Sequence, residues 1–159
     1  VQISDTMPED AMYDRAMEII RQVTVQREVK LDKIMNADEV VALQRAVARV
    51  PVAEHVIAFA NDLARATRPK SEDAPDFVKE MVAWGAGPRA GIYLVTAAKA
   101  RAVLQGRYHA TTADVAVVAL PVLRHRVLTT FNAEASGVTS DDVIKMLLDK
   151  LRPSDNIEI

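Results

Sequence analysis

The 159 residues are half hydrophobic and 26% charged, enough to bury an ordinary core in one domain or two small ones. Twenty Lys and Arg against 22 Asp and Glu leave a net charge of −2, so there is no global attraction to polyanions and nucleic acid is not the default partner. The absence of cysteine excludes a disulfide framework, a zinc ribbon and a cysteine nucleophile, and suits a cytoplasmic protein.

The chain opens "VQISDTMPED" without an initiator methionine, and Val1 and Ile3 alternate with Gln2 and Ser4 as the tail of a half-buried strand would. That start suggests a piece of something larger. From residue 7 onward apolar residues recur at helical spacing. Thr6 and Glu9 form a possible capping box for a first helix over 8–23, whose apolar face is Met12, Ala16, Ile19, Ile20 and Val23. A connector follows through Val25, Val29, Leu31 and Ile34, and Asn36 with Glu39 opens a short helix to about Val47. Val52, Val56, Phe59 and Leu63 make one stripe of a core helix over 52–67. "RPKSEDAPDF" reads as an exposed loop, and the short segment "FVKEMVAW" leads to a long helix over 88–104, capped by Gly106.

Thr111 or Thr112, with Asp114 in the first turn, opens the next helix, and Pro121 should kink or break it near Ala119 and Leu120. Thr139 and Asp142 start the last helix, with Val143, Met146, Leu147 and Leu151 on its inner face, and the tail 152–159 should fray. No strand pattern is seen beyond residues 1–4, and there is no repeat of 30 to 45 residues. The fold class is therefore all-α, a compact helical bundle with a short N-terminal strand remnant.

Hydrolytic signatures are missing: there is no phosphate loop, no G-x-S-x-G and no H-E-x-x-H. His55, His109 and His125 are scattered without clustered carboxylates, so no metal site is expected. No apolar run reaches the roughly 20 residues of a membrane span, and the N-terminus has no secretory pattern. One stretch has a definite chemical meaning: "WGAGPRA". Gly85 and Gly87 permit a tight turn, Pro88 fits a first helical position, and free N–H groups at a helix start attract anions. Arg89 adds a fork of donors that can hold two phosphate oxygens. The same pattern also serves structure alone, for instance through an ion pair of Arg89 with Glu80.

The run from Trp84 to Val127 resembles the C-terminal lid of the MoxR family of AAA+ ATPases. The matching elements are Gly85, Ala86, Gly87, Pro88, Arg89 and Ala90 for G-A-S-P-R-A, then Ala97 and Ala98, then Gly106 and Arg107. Thr112, Asp114 and Val115 follow for T-x-x-D-V, and Leu123, His125 and Arg126 for L-x-H-R. Upstream, Ala66, Thr67 and Arg68 match a lid helix ending in A-T-R. Gly87 departs from the family's serine, at a cost of only a few tenths of a kcal/mol in capping.

The resemblance implies that residues 1–6 are the end of an AAA+ core strand, 7–151 a helical lid and 152–159 a tail. It implies that Arg89 is the sensor 2 arginine, contacting nucleotide phosphates across the seam with the core of the same polypeptide, with residues 85–90 at the nucleotide. Arg68, Arg107, His125 and Arg126 are weaker interface or cleft candidates, and Tyr93, Leu94 and Ala97, one or two turns beyond Arg89, read as core. The implied whole is a cytoplasmic, hexameric ATPase using ATP with Mg2+, remodelling other proteins in a chaperone-like way, with a von Willebrand factor A domain protein as a candidate partner. The phosphate loop and Walker B pair are not in this sequence, so these residues alone should not hydrolyse ATP and should hold no cofactor. The rival reading is a histone-like helical module binding nucleic acid or protein, with "GRYHATTADV" as its contact loop.

Overall fold

The computed structural model describes residues 8–24 and 32–151. The strand expected over residues 1–4, the Thr6 cap, most of the connector over 25–34 and the tail over 152–159 lie outside them. The chain divides into two units, Val1–Asn36 and Ala37–Ile159. In the first, helix α1 spans Glu9–Thr24. The second contains α2 (Ala37–Arg49), α3 (Glu54–Ala66), α4 (Asp76–Met81), β1 (Val82–Trp84), α5 (Arg89–Leu104), α6 (Thr112–Leu123), β2 (Leu128–Thr129), α7 (Phe131–Ala135) and α8 (Ser140–Leu151).

The core of this second unit is built by α3, α5, α6 and α8. Helix α3 buries Val56, Phe59 and Leu63, as its four-three-four spacing requires. On α5 the buried positions are Ala90, Leu94, Ala98 and Ala102, one every fourth residue. Three of the four are alanine, so neighbouring helices can approach α5 closely. Val115, Ala119 and Leu123 face it from α6, and Val143, Ile144 and Leu147 close the core from α8.

Both T-x-x-D signals cap helices. Thr111, rather than Thr112, caps α6: its hydroxyl accepts from the Asp114 N–H, while the Asp114 carboxylate accepts from the Thr111 N–H. Thr139 and Asp142 repeat the arrangement at α8. Gly106 ends α5 with φ +68°, the left-handed angle that favours glycine.

Four expectations change. Helix α6 runs unbroken through Pro121 to Leu123. The proline lies in the last turn, and the helical ladder resumes beyond it, with the Arg124 N–H on the Leu120 carbonyl at 3.0 Å. A two-stranded antiparallel ribbon, β1 with β2, occurs where no strand was foreseen, pairing Val82 with Thr129 and Trp84 with Leu128 across a register irregularity. Strands of three and two residues are too short to show an alternating pattern. On α8 the third large core residue is Ile144, and Met146 is exposed, because the packing against α6 and α3 rotates the buried face. Tyr93, read as core, is 48% exposed.

Candidate functional site

The turn Gly85–Pro88 links β1 to α5, and its shape is fixed from the end of α3. Thr67 is fully buried; its hydroxyl donates to the Ala64 carbonyl at 2.7 Å and accepts from the Ala86 N–H at 2.8 Å. Arg68 donates from Nε to the Ala86 carbonyl at 2.8 Å. Gly85 lies so close beneath this corner that an added Cβ would meet the Thr67 carbonyl oxygen at 2.3 Å. The glycine is required here by close approach of two backbones. Around Gly87 the space is open, with nothing within 4 Å of an added Cβ, so the glycine at this position is not imposed by packing.

Pro88 already has helical angles, φ −57° and ψ −29°, which leaves Gly87 at the cap. Of the first N–H groups of α5, proline supplies none, and the Ala90 N–H bonds the Gly87 carbonyl at 3.0 Å. The charge on offer is therefore mainly the guanidinium of Arg89. It is exposed and makes no hydrogen bond or ion pair among the described residues; the pairing with Glu80 is not formed.

Arg89 borders a cavity of about 320 Å³. One wall comes from the start of α5 and the strand before it, through Trp84, Gly85, Gly87, Arg89 and Ala90; the other comes from the exit of α6, through His125, Arg126 and Leu128. Thus six of the ten residues singled out in the sequence meet at one cavity. Ala86 is buried beneath it and Pro88 does not line it. Arg126 is held in place: its guanidinium donates to the Val122 carbonyl at 2.5 Å, meets the His125 ring and lies 4.8 Å from the centre of the Tyr93 ring. The cavity wall thus carries one tethered and one unpaired arginine, and no carboxylate. Such a lining suits a phosphate and offers no side-chain carboxylate to a hard divalent cation.

Arg68 and Arg107 are placed elsewhere. Arg68 points to the Ala86 carbonyl, as above. Arg107 binds Asp114, Nη1 to Oδ2 at 2.7 Å, alongside Arg101 Nη1 to Oδ1 at 2.6 Å, and Thr111 adds its N–H and hydroxyl to Oδ2 at 2.9 Å each. Asp114 has no exposed surface. Burial alone would raise its pKa, but the bonds from Arg107, Thr111 and Arg101 outweigh it and hold the carboxyl well below the usual carboxylate range. This knot joins the end of α5 to the start of α6. It also neutralises the loop arginine on which a nucleic-acid contact at "GRYHATTADV" would rely. Among the described residues no group of three His, Cys, Asp or Glu could hold a metal, and no helix is long and apolar enough to cross a membrane.

Residues 76–147, which contain the cavity and the knot, match the AAA lid domain family. Over 116 residues, 73% of the chain, the sequence is 31% identical to Chaperone MoxR1 of Mycobacterium tuberculosis. The chain contains a MoxR-family AAA+ lid domain. A crystal structure of a candidate ATPase from Cytophaga hutchinsonii superposes on 94% of the chain with a TM-score of 0.71 and 25% identity. The chain spans about a third of the length of MoxR1 (31%) and 44% of the Cytophaga protein. The cavity lies within the matched stretch, at the turn that carries the G-A-x-P-R-A pattern.

Proposed function

We propose that this lid serves an ATP-hydrolysing motor and that Arg89 delivers its guanidinium to the nucleotide phosphates, as a sensor 2 arginine. One observation carries the reading: Arg89 stands at the start of α5 on the rim of a carboxylate-free cavity, with no partner among the described residues. A permanent charge kept unpaired beside a cavity is available for a ligand anion, and a fork of donors suits phosphate oxygens. Developing charge on a transferring phosphoryl group is stabilised by such a clamp, and an arginine carried by a lid couples nucleotide state to lid position.

In this reading the AAA+ core of the same polypeptide supplies the phosphate loop and the acid pair. It also supplies the carboxylate ligands of Mg2+, since no carboxylate lines the lid cavity. ATP with Mg2+ is the substrate, the assembly is a hexameric ring in the cytoplasm, and the work is chaperone-like remodelling, with a von Willebrand factor A domain protein as the candidate partner. The name Chaperone MoxR1 for the similar mycobacterial protein supports this direction. The test is Arg89→Ala in the full-length ATPase. Steady-state ATP hydrolysis should fall at least about tenfold, the scale of losing one transition-state donor, while thermal unfolding stays unchanged. Undiminished turnover refutes the assigned role.

A further inference from the structure

We propose that Thr67 and Arg68 are positioning residues for Arg89, forming a clamp through which the end of α3 sets the register of the turn that presents the phosphate-binding guanidinium. The inference rests on the sensor role of Arg89 and adds to it the parts that hold the arginine in place.

The geometry is specific. Ala86 is 1% exposed, and both polar groups of its backbone are taken by two consecutive side chains: its N–H by Thr67 Oγ1 and its carbonyl by Arg68 Nε, each at 2.8 Å. The Thr67 hydroxyl is in turn fixed by donating to Ala64 one turn back on α3. Its donor and its acceptor functions are therefore both in use, and its rotamer has no freedom left. Directly beside these bonds the Thr67 carbonyl and Arg68 Cα fill the space that any side chain at residue 85 would need. Three contacts, two polar and one steric, thus fix the backbone three residues before Arg89.

The first helical residue, Pro88, has a fixed φ, so little slack remains between the clamped peptide and the guanidinium. A shift of the Ala86 peptide is passed to the start of α5. Burial raises the stakes, because a buried N–H deprived of its acceptor must find another or move. Neither Thr67 nor Arg68 lines the cavity that Arg89 borders. Its effect on catalysis therefore runs through Arg89.

The experiment compares Thr67→Val, Thr67→Ser, Arg68→Ala and Arg89→Ala, with the Thr67→Val/Arg89→Ala and Arg68→Ala/Arg89→Ala doubles, in the full-length ATPase. Steady-state kcat and KM for ATP are read together with thermal unfolding. Thr67→Val and Arg68→Ala should each lower kcat roughly five- to tenfold, since misplacement by a fraction of an ångström is costly, with KM moved less than about threefold. Thr67→Ser keeps the hydroxyl and should restore kcat to within about twofold of the parent. Each double should be no slower than Arg89→Ala by more than about twofold, because the clamp has nothing left to place. Parental kcat in both single variants, with Arg89→Ala impaired, overturns the clamp; so do losses that multiply in the doubles. An unimpaired Arg89→Ala instead overturns the sensor reading on which the clamp rests. If Thr67→Val fails to fold, Arg68→Ala, at a partly exposed side chain, decides alone.

Discussion

Replacing Asp114 by asparagine tests whether the knot between α5 and α6 holds the second unit together. The substitution keeps size and one acceptor oxygen but removes the charge shared by Arg101 and Arg107. Breaking a buried ion pair by altering one partner costs about 3–5 kcal/mol. Here the arginine side chains retain 28% and 32% of their exposure, so water takes over part of their solvation and the ionic share falls to about 2–3 kcal/mol. A weakened capping box at Thr111 adds about 1 kcal/mol. A total near 3–4 kcal/mol corresponds to a fall in melting temperature of about 10–15 °C for a unit of this size.

The pH dependence has a definite sign. The native carboxyl holds its proton far less readily than the unfolded one, so below about pH 4 the unfolded chain takes up a proton that the native state refuses, and stability falls with pH. The asparagine variant lacks this component. Its deficit against the parent should therefore be full at pH 7 and smaller at pH 3. Melts followed by far-ultraviolet circular dichroism at the two pH values measure both quantities. A fall under about 3 °C at pH 7, or a deficit unchanged at pH 3, refutes the reasoning.

The two glycines of the turn should behave oppositely. Gly85→Ala forces a Cβ against the Thr67 backbone and should cost about 2–3 kcal/mol, whereas Gly87→Ser enters open space, can cap α5, and should change stability by no more than about 0.5 kcal/mol, toward stabilisation; chemical denaturation of both variants distinguishes them. On α8, Ile144→Ala should cost about 3 kcal/mol and Met146→Ala under about 1 kcal/mol, by the same measurement. Trp84, the chain's single tryptophan, is 72% exposed on the cavity wall. Binding of a non-hydrolysable ATP analogue to the full-length protein should therefore alter an emission component that disappears in Trp84→Phe, and an identical titration signal in that variant would show that the nucleotide does not reach this wall.

What the sequence discloses follows from how far apart the interacting residues are. The two T-x-x-D caps and the terminating Gly106 are legible because each is settled within a few residues by local geometry. The stripe Val56, Phe59 and Leu63 is legible because one helix face repeats its own period. Ile144 and Met146 are a different case: both fit an amphipathic α8, and the neighbouring helices choose between them. Arg107 resembles any exposed loop arginine until Asp114, seven residues on, is seen to be buried; Arg101 and Arg107 flanking a T-x-x-D cap are the signal that could have suggested it. Arg68 meets its partner 18 residues away, and β1 meets β2 across the two helices α5 and α6, distances at which no periodicity operates. The cavity itself was half legible. Residues 85–90 announced an anion-friendly turn, but the convergence of Arg126 and His125 upon it depends on α6 returning alongside α5.

That return sorts the helical pair into two ends with different duties. Sixteen residues of α5, about 24 Å of helix, separate the end where Asp114 is locked between two arginines from the end where Arg89 has no partner among the described residues. One end is welded and the other is kept open. Loosening the weld should cost the domain its endurance well before it disturbs the chemistry, and altering the open end should silence the motor in a protein that still melts like the parent. Variation in such a lid can therefore act on durability and on turnover separately, at opposite ends of the same hairpin.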